Sequence, residues 1–184
     1  MIEGSLAGKL LVANPYCYFN DFFDKSIVYV AIHTNEGAVG LIINKSISTL
    51  GIKKLYRISD NSYTEIEKKI FIGGPVEVER SFIMHTPEYS KNLIFSAGEH
   101  VSISSSVDVI IDILRGSGPL KSNIILGYTG WGAGQIEHEI SENHWLILDS
   151  DEDIIFNDHG SSWEHALKKV GIDHSHFTSQ MAHT

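Results

Sequence analysis

The most distinctive chemistry-bearing segment is Gly127-Tyr128-Thr129-Gly130-Trp131-Gly132-Ala133-Gly134-Gln135. It follows a strand-like run at residues 123–126 and leads into a helix-like run at residues 135–143. Backbone N–H groups at such a turn can cradle a phosphate. The details argue against the standard nucleotide loops. Gly127 and Gly132 have the P-loop spacing, but Ala133 and Gly134 stand where Lys and Ser/Thr are needed. Gly130, Gly132 and Gly134 lack the third glycine of the dinucleotide fingerprint, and Glu137 and Glu139 would repel a phosphate from the first helical turn. The plainer reading is that the glycines permit close packing around the Trp131 indole.

Other groupings fail as metal sites. His138-Glu139-Ile140-Ser141-Glu142 has Glu142 where a zinc helix needs its second histidine. Asp149, Asp151 and Asp153 start like a calcium loop, but Ile154 occupies the position that requires glycine. No metal and no cofactor is expected. His33 and His85 each close a β-rich run, where a histidine is commonly satisfied by a backbone carbonyl. With Asn44 and the Gly73-Gly74-Pro75 turn they could instead form a polar cluster at strand ends. The candidate ligand pocket is therefore His33, Asn44, Gly73, Gly74, Pro75, His85, Gly130, Trp131, Gly132, Gly134, Gln135 and Glu137. Cys17 lies among Tyr16, Tyr18 and Phe19 with no spacing that makes it a nucleophile, and no G-x-S-x-G elbow is present.

The elements that must position these residues follow from hydrophobic patterning. Residues 9–14, 26–33 and 38–44 read as strands, the last two joined by Thr34-Asn35-Glu36-Gly37. Ile27-Val28-Tyr29-Val30-Ala31-Ile32 is apolar on both faces, as in a sheet covered on both sides. Residues 48–57 and 64–69 read as short helices, and residues 70–72, 76–85, 93–95, 100–104, 123–126 and 145–148 as strands. Val107, Ile110, Ile111 and Leu114 put one apolar face on a helix with a Ser105/Asp108 capping box. Trp163, Ala166, Leu167 and Val170 repeat that pattern behind Ser161 and Glu164. Strands with interspersed helices, without regular βαβ alternation, predict an α+β fold in a single domain over residues 1–184.

Composition narrows the function classes. With 184 residues and 42% hydrophobic content, the chain suits one domain with one core system. No apolar run approaches the roughly 20 residues of a membrane helix, and no basic segment precedes a long apolar stretch, so a cytoplasmic protein without membrane contact is expected. One cysteine excludes an intramolecular disulfide. Net charge is -9, and residues 122–167 carry nine acids and no Lys or Arg. Nucleic-acid affinity depends on Lys and Arg neutralising phosphates, and the basic clusters are small: Lys53, Lys54 and Arg57, and the pair Lys68-Lys69. Direct nucleic-acid binding is disfavoured.

Several blocks resemble the bacterial YqgE/AlgH family. Phe23-Asp24-Lys25-Ser26 resembles its F-x-R-S step, and His33, Gly37-Ala38, Gly40-Leu41 and Asn44-Lys45 resemble its H-x-x-x-G-A-x-G-L…N-R/K block. Gly73-Gly74-Pro75-Val76 with His85 resembles G-G-P-V…L-H, and residues 127–140 with Asn143 and Trp145 resemble G-Y-A-G-W-G-x-G-Q-L-E-x-E…N-x-W. Departures are Asn20-Asp21, Ser46 and the end at Gln180-Met181-Ala182-His183. The resemblance implies an α+β fold with a mixed, largely antiparallel sheet, a small partly open β-barrel and surrounding helices. It implies no catalytic residues, and some members carry a transcriptional-regulator label linked to exopolysaccharide production. The expectation is a binding module for a small molecule or protein partner, regulating indirectly if at all. The alternative is a small-molecule enzyme with His33 or His85 as general base and residues 130–137 as anion donors.

Overall fold

Strand Ile27–Thr34 shows how the molecule is layered: Ile27, Tyr29 and Ala31 enter one apolar cluster, while Val28 and Val30 enter another. A sheet with packed side chains on both faces follows, as the uniform apolarity of that run predicts. The computed structural model describes residues 4–96, 98–157 and 162–172. The Ser161 cap and the departure at residues 180–183 lie outside them.

In chain order the elements begin β1 (Leu10–Ala13), β2 (Ile27–Thr34), β3 (Gly37–Ile42), β4 (Ser46–Gly51), α1 (Ile52–Leu55) and β5 (Glu67–Ile72). Next come β6 (Val76–His85), β7 (Leu93–Ser96), β8 (Ser102–Ser104), α2 (Val107–Leu114) and β9 (Ser122–Gly132). The chain closes with α3 (Gln135–Ser141), β10 (Trp145–Leu148), α4 (Glu152–Phe156) and α5 (Ser162–Lys169). The sheet runs β10-β1-β2-β3-β9-β6-β8-β7. All pairings are antiparallel except β5 on β9, and β4 pairs with β5. This is a mixed α+β fold in which the sheet curls into a half-barrel.

The 11-residue β9 organises the curl. Its first half lies between β5 and β6, and its last residues, Thr129–Gly132, pair with β3. Three apolar clusters fill the fold. One sets Leu10, Tyr29 and Phe71 against Ile154, Ile155 and Trp163 of α4 and α5. A second sets Val28, Val30 and Ile42 against Trp131, Ile136 and Trp145. A third packs Val109, Ile110 and Leu114 of α2 on Ile70, Ile83 and Ile124. Among the described residues no helix is long and apolar enough to cross a membrane.

Three local expectations are corrected. Residues 48–57 are helical only over Ile52–Leu55, and of residues 64–69 none is helical and 67–69 join strand β5. Pairing with β4 satisfies the backbone of residues 67–71 as a ladder instead. Ser106, not Ser105, caps α2, its hydroxyl accepting from the Asp108 N–H at 3.1 Å. The glycine-rich segment is not a strand-to-helix loop. Residues 127–132 belong to β9, and only Ala133 and Gly134 make the turn.

Candidate functional site

Because the glycine-rich segment is strand, Gly130 and Gly132 meet β3 opposite Val39 and Gly37, so much of their backbone serves the ladder rather than an anion cradle. Two glycines of β3 make room, Gly37 opposite Gly132 and Gly40 opposite Thr129. A Cβ on Gly37 would lie 2.1 Å from the Trp131 carbonyl oxygen, and one on Gly40 would lie 3.0 Å from the Trp131 ring and 2.5 Å from Val28. Gly134, at φ 73, turns the chain directly into α3. Gln135, Glu137 and Glu139 thereby stand beside the end of β9.

Glu137 reaches His33. The His33 Nδ1 accepts the Leu6 backbone N–H at 2.9 Å, and an N–H can only donate, so the neutral ring carries its proton on Nε2. That Nε2–H donates to Glu137 Oε1 at 2.8 Å. Glu137's own backbone N–H and the His33 ring hold its carboxyl below the usual glutamate range. Both ring nitrogens are thus committed, and His33 has no free lone pair with which to act as a base.

Glu139 anchors the second arrangement. Its Oε2 accepts the indole N–H of Trp131 at 2.9 Å and that of Trp145 at 2.8 Å, and its Oε1 accepts the Gln135 amide at 2.9 Å. Gln135 Oε1 in turn accepts the Gly132 N–H at 3.0 Å, which closes the β9–α3 turn. Phe19 and Phe23 stand 5.0 and 6.0 Å from the Trp145 ring. Together these groups, with Tyr18, Asn20, Thr129, Gly130 and His144, line a cavity of about 330 Å³. Its walls are aromatic and its charged group is a carboxylate. No Lys, Arg or His side chain of the described residues pairs with that carboxylate.

The expected twelve-residue pocket therefore does not form as one site. Gly130, Trp131 and Gln135 line the aromatic cavity, Gly132 and Gly134 shape its turn, and Glu137 of the adjoining helix α3 is hydrogen-bonded to His33 of β2. Gly73 and Gly74 are occupied by the fold: a Cβ on Gly73 would sit 2.4 Å from the Gly127 carbonyl oxygen, and one on Gly74 would sit 2.1 Å from the Tyr128 carbonyl. Pro75 follows them at the exposed turn into β6. Asn44 ties a loop, accepting the Ile27 N–H at 2.7 Å and donating to the Lys25 carbonyl at 2.8 Å, and borders a different cavity.

His85 is fully buried at the other end of β9, opposite Ser122. Its Nδ1–H donates to the Thr86 carbonyl at 2.9 Å, and its Nε2 accepts from the Ser104 hydroxyl at 3.0 Å. His33 pairs with Ala38, which faces Trp131, so nine strand positions, roughly 30 Å, separate the two histidines' places along β9. They cannot share a substrate, and an enzyme joining them has no geometry to work with.

Sequence reasoning missed Glu139, Trp145, Phe19 and Phe23. The signal for Glu139 was its i,i+4 spacing from Gln135, which places both on one helix face. The aromatic residues come from segments that only the folded sheet brings together. Asp151, once considered as a calcium ligand, instead caps α4 by accepting the Asp153 and Ile154 N–H groups at 2.9 and 3.2 Å.

Comparison with known proteins gives one consistent result. A family model described as AlgH-like matches residues 10–175. UPF0301 proteins of Rickettsia canadensis (strain McKiel) and Rickettsia felis are each 40% identical over 179 residues, covering 96% of this chain and 95% of the relative. The solution structure of the AlgH protein from Pseudomonas aeruginosa is similar at TM-score 0.75 and 31% identity, covering 97% of this chain and 95% of that one. A Corynebacterium diphtheriae protein shares the fold at TM-score 0.74 and 15% identity, over 91% and 88% of the two chains.

Proposed function

The chain belongs to the AlgH-like family, and on that premise we propose that it is a binding module whose aromatic cavity beside β9 receives a cationic group. The observation that carries this reading is the Glu139 carboxylate, held by three neutral N–H donors and paired with no basic side chain of the described residues. Hydrogen bonds from neutral donors stabilise an anion without cancelling its charge. A cation entering the cavity meets that charge together with the faces of aromatic rings, which attract ammonium and guanidinium groups by about 0.5–2 kcal/mol each. Glu137 and Glu142 on the same short stretch add to the negative potential.

The cation belongs either to a small molecule or to a Lys or Arg side chain of a partner protein. Regulation by such a module is indirect, through what it holds, and needs no contact with DNA. We place the protein in the cytoplasm, a reducing compartment that suits a chain with a single cysteine. The alternative in which His33 acts as a general base draws no support from a ring whose two nitrogens are both engaged.

The test is a tryptophan-fluorescence titration with tetramethylammonium, with N-acetyl-arginine amide and with acetate as the anionic control. Saturable changes with the cations and none with acetate are expected. Tyr18→Ala, at a side chain that is almost fully exposed and so safe for folding, should weaken the response, and Glu139→Gln should abolish it. A stronger response to the arginine derivative than to tetramethylammonium points to a protein partner, the reverse to a small molecule. No response to either cation, or one unchanged in both variants, overturns the proposal.

A further inference from the structure

A second cavity, larger than the aromatic one, has the opposite chemistry. About 810 Å³ in volume, it lies where α4 and the start of α5 face β5, the start of β9 and the β3–β4 connection. Five lysines line it (Lys25, Lys45, Lys68, Lys69 and Lys121) against two exposed glutamates, Glu67 and Glu164. In a chain with 14 basic residues and net charge -9, that concentration is a local reversal of sign.

Three of these ammonium groups are placed without a carboxylate partner among the described residues. The half-buried Lys68 Nζ donates to the Ser122 hydroxyl at 3.1 Å and carbonyl at 3.3 Å, and burial lowers its pKa from the usual lysine value. Lys45 Nζ donates to the Asp24 carbonyl, and Lys25 Nζ stands 5.7 Å above the Trp163 ring. Neutral acceptors and an aromatic face orient these charges but leave them uncompensated. A cation that has lost part of its hydration without gaining an anion is favoured to bind one. Below the ammonium groups, Phe71, Ile155 and Trp163 give the cavity an apolar floor.

We propose that this cleft is a second binding site, separate from the aromatic cavity, for a phosphorylated small molecule of nucleotide size. The volume falls within the range of pockets that enclose such ligands. Lysines suit phosphate as point charges, and the floor suits an apolar or aromatic body. A compact dianion feels mainly the charges within a screening length of about 8 Å, so it is drawn by the lysines despite the overall negative charge. A nucleic-acid strand is longer than the cleft and meets the chain's net charge of -9 beyond it.

The test titrates inorganic pyrophosphate, ADP and adenosine separately into the isotope-labelled full chain at low salt, followed by amide NMR. Both anions should shift residues 44–46, 68–69 and 121–123 saturably, with adenosine at least about tenfold weaker and added salt weakening the anions. Lys45→Gln combined with Lys68→Met should lose about tenfold in affinity or more. If that variant does not fold, Lys25→Gln with Lys45→Gln should lose several-fold. The proposal fails if neither anion moves these signals, if a folded variant binds like the wild type, if adenosine matches ADP, or if a thymidine oligonucleotide binds more tightly than ADP.

Discussion

The two histidines that stand out in the sequence illustrate how hydrogen bonding fixes the role of an ionisable residue. His33 has both nitrogens used, one by a backbone donor and one by a carboxylate. For His85, burial lowers the pKa from the ordinary 6.5, only partly opposed by the Thr86 carbonyl and the nearby Glu88. The sign of its effect on stability follows. As pH falls below about 6.5 the unfolded chain takes up a proton that the buried ring resists, so unfolding becomes easier. Carboxylates with lowered pKa, such as Glu137, act in the same direction only at lower pH, through the carboxylate range. Urea unfolding at pH 7 and pH 5.5 should therefore show a loss of stability that shrinks in His85→Gln. An unchanged loss in the variant would mean that the ring protonates as readily folded as unfolded. Residue types marked His33 and His85 for attention, but their partners, Leu6 and Ser104, are distant in sequence, so only the fold reveals what each ring does.

Among the elements, those with local signals were legible and those depending on distant pairing were not. Strands β2, β3, β6 and β10 and helices α2 and α5 follow from β-rich runs, helical periodicity and the Gly-containing turns. Parts of β4 and β5 read locally as short helices over residues 48–57 and 64–69, whereas the decisive contact is a ladder between segments some 20 residues apart. The glycine-rich segment was placed correctly before a helix but mistaken for a loop, since six of its residues extend β9. Its true demand is close backbone approach. Gly74→Ala would drive a Cβ to 2.1 Å from the Tyr128 carbonyl, and we expect a loss of about 3 kcal/mol or more by denaturant titration. The cap of α2 offers a finer check: Ser106→Ala should cost about 1 kcal/mol, while Ser105→Ala, exposed and outside the capping bond, should change stability little. Equal costs at the two serines would contradict the observed cap.

At the scale of the whole molecule, the sheet separates two cavities of opposite chemistry. The aromatic cavity draws on the cluster containing Trp131 and Trp145, and the lysine-lined cleft on the cluster containing Phe71 and Trp163. Of the first, only Gly130, Trp131 and Gln135 were legible as candidate pocket residues, and of the second only Asn44. The lysines come from positions 25 to 121 along the chain, and the long acidic stretch drew attention to the opposite charge. That stretch is itself partly answered by ion pairs from outside it, Lys9 with Asp149, Lys121 with Glu152 and Lys169 with Asp151. The family and the α+β architecture, by contrast, could be read from motif blocks spread over nearly the whole chain. The central functional claim is that the Trp131–Glu139–Trp145 arrangement receives a cation, and the three indole N–H groups report on it directly. Two of them donate to Glu139, and the third, on Trp163 of the other cluster, donates at 2.9 Å to the Ala13 carbonyl. Titration with a cationic ligand, followed by NMR of the three indole N–H signals, is the measurement that decides. The account predicts that the Trp131 and Trp145 signals shift together and saturate while Trp163 stays in place. Three unmoved signals, or equal drift of all three, would contradict it.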